Sequence, residues 1–196
     1  MKDDENDPEK AGVAYDTLMD AGMQISFGSV TTNPCLTFAD KAKADNLFFM
    51  TPSASAADVI VNKYAFRVCF GDPDQGYLAA EELVKTYTKI GVIYDESDTY
   101  STGIFDAFET KMKELGKTDY SVQKFNSDSN RDFSTQVAAL KDCDVIFLPI
   151  YYTEAGLIAQ EAKKIGCSAV LFGCDGLDGV ADSIKTNSIP NVVKDI

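Results

Sequence analysis

Two segments of this 196-residue chain are dense in hydroxyls: Gly28-Ser29-Val30-Thr31-Thr32-Asn33 and Thr51-Pro52-Ser53-Ala54-Ser55. Each follows a β-rich run and precedes a helix start. A helix N-terminus offers unpaired backbone N–H groups and a positive dipole end, and neighbouring hydroxyls add donors, so such loops suit a carboxylate or a phosphate. Tyr100, Tyr152 and Asp175 occupy the equivalent places after later β-rich runs. An anion site, two aromatics and one acid on a common cleft suit a zwitterion. Taken singly, each has a plainer reading. Ser and Thr before helices commonly serve as N-caps, Asp175 in Gly173-Cys174-Asp175-Gly176 has the setting of a turn residue, and Tyr151-Tyr152 that of strand-end packing. Two hydroxyl loops on neighbouring strands weigh against caps alone.

Composition narrows the chemistry. The chain has 18 Lys+Arg against 31 Asp+Glu, a formal net charge of −13, and no His. Without imidazole there is no Ser-His-Asp or Cys-His nucleophile system and no His-based zinc site. The acidic balance disfavours nucleic acid and anionic lipid, which are bound through Lys and Arg. No GxGxxG or GxxxxGK[ST] segment is present to cradle a nucleotide phosphate. Asp95 and Asp98 could start a receiver-type magnesium and phosphoacceptor site, but the further acidic pair and downstream lysine of such a site are not evident. Cys35, Cys69, Cys143, Cys167 and Cys174 form no CxxC pair, are odd in number, and read as small buried apolar residues. The acidic stretch from Asp3 to Glu9 lacks the Gly and terminal Glu of a calcium loop and reads as a solvated helix entry. The expectation is no catalytic residue, no metal and no cofactor.

The elements that must position these residues alternate. Helix stripes recur at Ala11, Ala14, Tyr15 and Leu18; at Ala80, Leu83, Val84 and Tyr87; at Ile104, Phe105, Phe108, Met112 and Leu115; and at Ala155, Ile158, Ala159, Ala162 and Ile165. Asp7-Pro8 and Asn33-Pro34 open the first two helices, and in Asp72-Pro73-Asp74-Gln75 Asp72 is placed to cap and Gln75 to reach back. Strands are expected over 24–27, 47–50, 64–69, 90–94, 120–125, 145–148 and 169–172. Seven strands with intervening helices predict an α/β fold with doubly wound parallel sheets. In such sheets ligands bind beyond the carboxyl ends of the strands, where the hydroxyl loops lie. The pattern breaks at Phe70-Gly71-Asp72-Pro73 and dissolves from Val180. The longest apolar run, 145–152, is too short to cross a bilayer, and Met1-Lys2-Asp3-Asp4-Glu5 carries no apolar export signal.

Several short segments follow one another in a fixed order: 4–11, 51–55, Phe66-Arg67 with Asp74-Gln75-Gly76, Val92-Ile93-Tyr94-Asp95, Tyr100-Ser101-Thr102-Gly103, Asp132-Phe133-Ser134, 144–149, 151–156 and Gly173-Cys174-Asp175-Gly176. In order and spacing they resemble the extracytoplasmic solute-binding proteins of ABC importers, most nearly the leucine and branched-chain amino acid-binding group. The resemblance implies a two-lobed type I periplasmic binding fold that closes on its ligand, with 1–71 a partial first lobe, 72–182 a nearly complete second lobe and 183–196 a return segment or disordered tail. It implies that the ligand carboxylate meets Thr31 or, better, Thr32, together with Ser55. The ammonium would meet the Ser53 carbonyl and Asp175, while Tyr100 and Tyr152 fold over the ligand. It also implies a membrane permease as partner, an extracytoplasmic location and truncation at both ends, with exposed sheet edges that favour self-association of the first lobe. The same fold serves as the sensor domain of signalling receptors, and a flavodoxin-like or receiver-like enzyme centred on Asp95 is the catalytic alternative.

Overall fold

The computed structural model describes residues 1–127 and 132–186. The expected loop and tail over 187–196 lie outside the described residues. The chain divides into two compact units, Met1–Asp74 and a second that begins at Gln75.

The first unit runs α1 (Pro8–Asp20), β1 (Ile25–Phe27), α2 (Thr32–Asp45), β2 (Phe48–Thr51), a 3-10 turn (Ala57–Ile60) and β3 (Ala65–Arg67). Asp7 starts α1 by accepting from the N–H groups of Glu9 (2.8 Å) and Lys10 (3.0 Å). Pro8 costs nothing at the first helical position, where an N–H would have no intrahelical partner. Helix α2 begins at Thr32, ahead of the expected Asn33-Pro34 start, and ends on Asn46 in the left-handed region (φ 55°), which Asn tolerates. The strands pair in parallel in the order β1-β2-β3. Their register aligns Ile25 with Phe48, Phe27 with Met50, Phe49 with Ala65 and Met50 with Phe66.

Because side chains alternate along a strand, that register sorts them by face. Phe49 and Ala65 pack with Tyr15, Cys35, Phe38, Ala39 and Ala42 of the two helices. The Phe38 ring lies edge-on to Tyr15 at 4.9 Å and at a steep angle to Phe49 at 5.2 Å. The opposite face carries Ile25, Phe27, Phe48, Met50 and Phe66, of which Ile25, Phe27 and Phe66 are 58%, 79% and 48% exposed. Both helices of this unit serve one face of the sheet.

The second unit comprises α3 (Asp72–Thr86), β4 (Ile90–Asp95), α4 (Thr99–Glu114), β5 (Ser121–Phe125), α5 (Ser134–Leu140), β6 (Val145–Leu148), α6 (Tyr152–Lys164), β7 (Val170–Gly173), a 3-10 turn (Asp175–Leu177) and α7 (Val180–Thr186). The first three residues of α3 belong to the first unit. The sheet is parallel in the order β5-β4-β6-β7. Here alternation feeds two cores. Val92, Val145 and Phe147 meet Ala80 and Leu83 of α3 and Ile104, Phe108 and Met112 of α4. Ile93, Ile146 and Leu148 meet Val137 and Leu140 of α5, Ile158 and Ala159 of α6, and Val180 and Ile184 of α7. The doubly wound α/β arrangement read from the patterning is present in this unit. Helix α7 stands where the periodicity fades, because a seven-residue helix needs only Val180 and Ile184, four apart, to reach the core.

Candidate functional site

In the first unit the two hydroxyl loops follow β1 and β2 and are tied together by a residue that the sequence reading did not single out. Thr51, the last residue of β2 and fully buried, donates from Oγ1 to the Ser29 carbonyl (2.7 Å) and accepts from the Ala54 N–H (3.1 Å). Arg67 braces the second loop from β3, its guanidinium donating to the carbonyls of Ser55 (2.5 Å) and Ala56 (3.1 Å). Its signal was the cation in the Phe66-Arg67 pair, but nothing in the sequence aims it at Ser55. Ser29 bonds the Asp4 carboxylate, so part of the acidic N-terminal stretch holds this loop as well as entering a helix.

On this scaffold the four candidate residues differ. Thr31 is the N-cap of α2 but makes no capping bond; its hydroxyl donates to Asn6 Oδ1 at 2.6 Å. Ser53 lies in the bend after β2, half-buried. Thr32 and Ser55 are each 1% exposed, and Thr32 Oγ1 and Ser55 Oγ have no hydrogen-bond partner among the described residues. Buried hydroxyls are ordinarily satisfied, and each left dry costs about 1–3 kcal/mol. Two of them at adjacent strand ends are donors with no internal use.

Cys35, one turn into α2, is fully buried, and burial pushes its thiol up to about 11 against weaker stabilisation by Thr51 and the Ser29 backbone. It remains a neutral thiol at physiological pH and is unsuited to nucleophilic attack.

In the second unit Tyr100, Tyr152 and Asp175 follow β4, β6 and β7. Tyr100 is 2% exposed on α4 and stacks on Tyr151 at 4.7 Å. Its hydroxyl donates to Asp175 Oδ1 (2.7 Å) and accepts from the Gly176 N–H (3.0 Å). Burial, reinforced by the adjacent Cys174 and Asp175, raises the Tyr100 phenol so that it stays a donor. Tyr152 opens α6 and is 46% exposed. The structure therefore brings Tyr100 and Asp175 into direct contact.

The residues of the catalytic alternative are engaged in loop structure. Asp95 Oδ1 accepts from the Ser97 N–H (2.9 Å), the Ser97 hydroxyl (2.6 Å) and the Ser127 N–H (3.4 Å). Asp98 caps α4 through the Ser101 N–H (3.1 Å), and burial raises its carboxyl above the usual range. Among the described residues no three potential ligands gather into a metal cluster, and no helix is long and apolar enough to cross a membrane.

Residues 1–193 match the family model described as "Periplasmic binding protein". A Leu/Ile/Val-binding protein homolog of Brucella melitensis is 26% identical over 181 residues, covering 89% of this chain and 49% of that protein. The leucine-, isoleucine-, valine-, threonine- and alanine-binding protein of Pseudomonas aeruginosa is 25% identical over 181 residues, covering 89% and 48%. The chain thus spans about half the length of the curated relatives it matches. Among solved structures, the leucine-binding protein LivK of Thermotoga maritima superposes with a TM-score of 0.86 at 26% identity, over 93% of this chain and 54% of that one. The isoleucine complex of LivJ from Streptococcus pneumoniae has the same fold, with a TM-score of 0.83 at 21% identity over 93% and 54%.

Proposed function

Since the chain belongs to the periplasmic binding protein family and has its type I fold, we propose that it is the amino-acid-recognising part of a non-enzymatic solute receptor that serves an ABC importer outside the cytoplasm. A branched-chain amino acid is the favoured ligand. The observation that supports this most is the pair of buried, unpartnered hydroxyls of Thr32 and Ser55. A carboxylate accepts from both without either having to give up an existing bond. Thr31, already committed to Asn6, serves as the N-cap beside them, and the Ser53 carbonyl supplies an acceptor for the ammonium. Asp175 supplies the charge that an ammonium requires, and the exposed ring of Tyr152 the apolar surface for an aliphatic side chain. The relatives that bind leucine, isoleucine and valine favour the same class of ligand.

The chemistry is recognition alone: charge-assisted hydrogen bonds at both ends of a zwitterion, worth more than neutral ones. A thermal-shift panel of the common amino acids at about 20 mM tests it, because a site of about 2 mM affinity still contributes about 1.4 kcal/mol there. Leucine, isoleucine or valine should raise the midpoint while glutamate and arginine leave it unmoved. No shift with any amino acid would overturn the proposal. A shift that survives Thr32→Val with Ser55→Ala would move the carboxylate site elsewhere.

A further inference from the structure

The Asp74-Gln75-Gly76 segment has a use beyond starting a helix. Gln75 does not reach back to cap α3: the Asp72 N–H already donates to the Ser55 carbonyl at 3.0 Å, and Asp74 Oδ2 accepts from the Gly71 N–H at 3.1 Å. Instead Gln75 Oε1 accepts from the backbone N–H of Asp175 at 3.3 Å, 100 residues along the chain. That bond fixes which end of the carboxamide is oxygen, since only the oxygen can accept from an N–H. The amide nitrogen is buried without a hydrogen-bond partner among the described residues.

The surroundings hold this bond in place. A Cβ on Gly76 would stand 2.4 Å from the Ile104 carbonyl oxygen and 2.7 Å from Ala107 Cβ, so glycine lets α3 press against α4 and sets the position of Gln75. A Cβ on Gly176 would stand 2.7 Å from the Tyr100 hydroxyl and 2.8 Å from the Ile150 carbonyl oxygen, so the turn carrying Asp175 is pressed between α4 and the end of β6. Asp175 is thus held twice, its peptide N–H by α3 and its Oδ1 by Tyr100 on α4. Oδ2 is the carboxylate oxygen left without a hydrogen bond among the described residues.

We propose that Gln75 is a positioning residue for ligand recognition: by holding the Asp175 peptide it aims Asp175 Oδ2 at the ligand's ammonium. The ligand half of this statement rests on the reading of Asp175 given above; the hydrogen bond and its effect on the turn do not. A carboxylate presented in one fixed direction loses less freedom on binding than one that must be ordered by the ligand.

The test combines amide hydrogen exchange, followed by NMR on the whole chain, with leucine-induced thermal shifts for Gln75→Met, Gln75→Glu and Asp175→Asn. Gln75→Met should speed exchange of the Asp175 amide about tenfold while the β4 amides keep their rates, and should shrink the leucine shift. Gln75→Glu retains an acceptor and should restore slow exchange at Asp175. Unchanged Asp175 exchange in Gln75→Met overturns the proposal, as does equal acceleration in β4, which would mark general loosening. Faster Asp175 exchange with an undiminished leucine shift also overturns it. An undiminished leucine shift in Asp175→Asn instead defeats the ammonium reading, and leaves the role of Gln75 in the turn to be judged by exchange alone.

Discussion

The two units apply one rule with different outcomes. Both are parallel sheets with connecting helices, but β4 and β6 feed side chains into cores on two faces, whereas β1, β2 and β3 bury only one. Phe147 and Phe27 show the contrast: the first is fully buried, 4.9 Å from the Phe108 ring, and the second is 79% exposed. Parallel strands are normally covered on both faces, so Ile25, Phe27 and Phe66 carry β-strand hydrophobicity without its burial. The candidate residues divide in the same way. In the second unit Asp175 is braced at its peptide N–H and at Oδ1, while in the first the hydroxyls of Thr32 and Ser55 are buried and have no partner among the described residues. The second unit holds its candidate carboxylate in place, and the first leaves hydrogen-bonding capacity unused.

The largest effect should come from the cores. Phe147→Ala is expected to cost about 3–5 kcal/mol in urea unfolding, and Phe27→Ser less than about 0.5 kcal/mol. A comparable cost for Phe27→Ser would mean that the bare face is covered in solution and would remove the contrast. The β6 amides should likewise exchange at least about a hundredfold more slowly than those of β1.

Next come the hydroxyls. Thr51→Val strands the Ser29 carbonyl and the Ala54 N–H and should cost about 1–3 kcal/mol. Thr32→Val and Ser55→Ala break no existing bond and should leave urea stability unchanged or raise it by up to about 1 kcal/mol, while reducing the leucine-induced shift. If Thr32→Val destabilises as much as Thr51→Val, the Thr32 hydroxyl is structural, and the distinction between spent and unspent hydroxyls fails.

The smallest effect is alkaline. Burial raises the Cys35 thiol from 9.0 to about 11, so the folded state keeps a proton that the unfolded state releases. That contribution is fully present below pH 9 and is lost as pH rises from 9 toward 11. About 2 kcal/mol is lost between pH 9 and pH 11. Cys35→Ala should flatten this alkaline fall, and Ellman's reagent at pH 8 should label Cys35 after Cys69, which is only half-buried. Labelling of Cys35 first would show that the first unit opens far more readily than its core suggests.

Much of this was legible in the residues. Seven strands fall where β-rich runs lie between helical stripes, with no end displaced by more than two residues. Asp7-Pro8 starts a helix because capping and a fixed φ act within one turn. Thr32, Ser55 and Asp175 could be nominated because strand ends, hydroxyls and a lone carboxylate are local signals. Less was legible at Gln75, whose position three residues after Asp72 made a capping box the natural expectation. The box is not made because Ser55 supplies the acceptor for the Asp72 N–H, a partner that no local pattern contains.

The sequence by itself determined which chemistries lack their residues and the alternation of elements, because the absence of imidazole, the acidic balance and hydrophobic periodicity are properties of residue type and spacing. Tertiary structure alone decided which hydroxyls are already spent, which sheet face is covered and which residue holds Asp175. Those outcomes depend on contacts between residues tens of positions apart: Thr51 with Ser29, Thr31 with Asn6, and Gln75 with Asp175 across 100 residues. A hydrogen bond needs both partners within about 3 Å, and only the folded chain sets that distance.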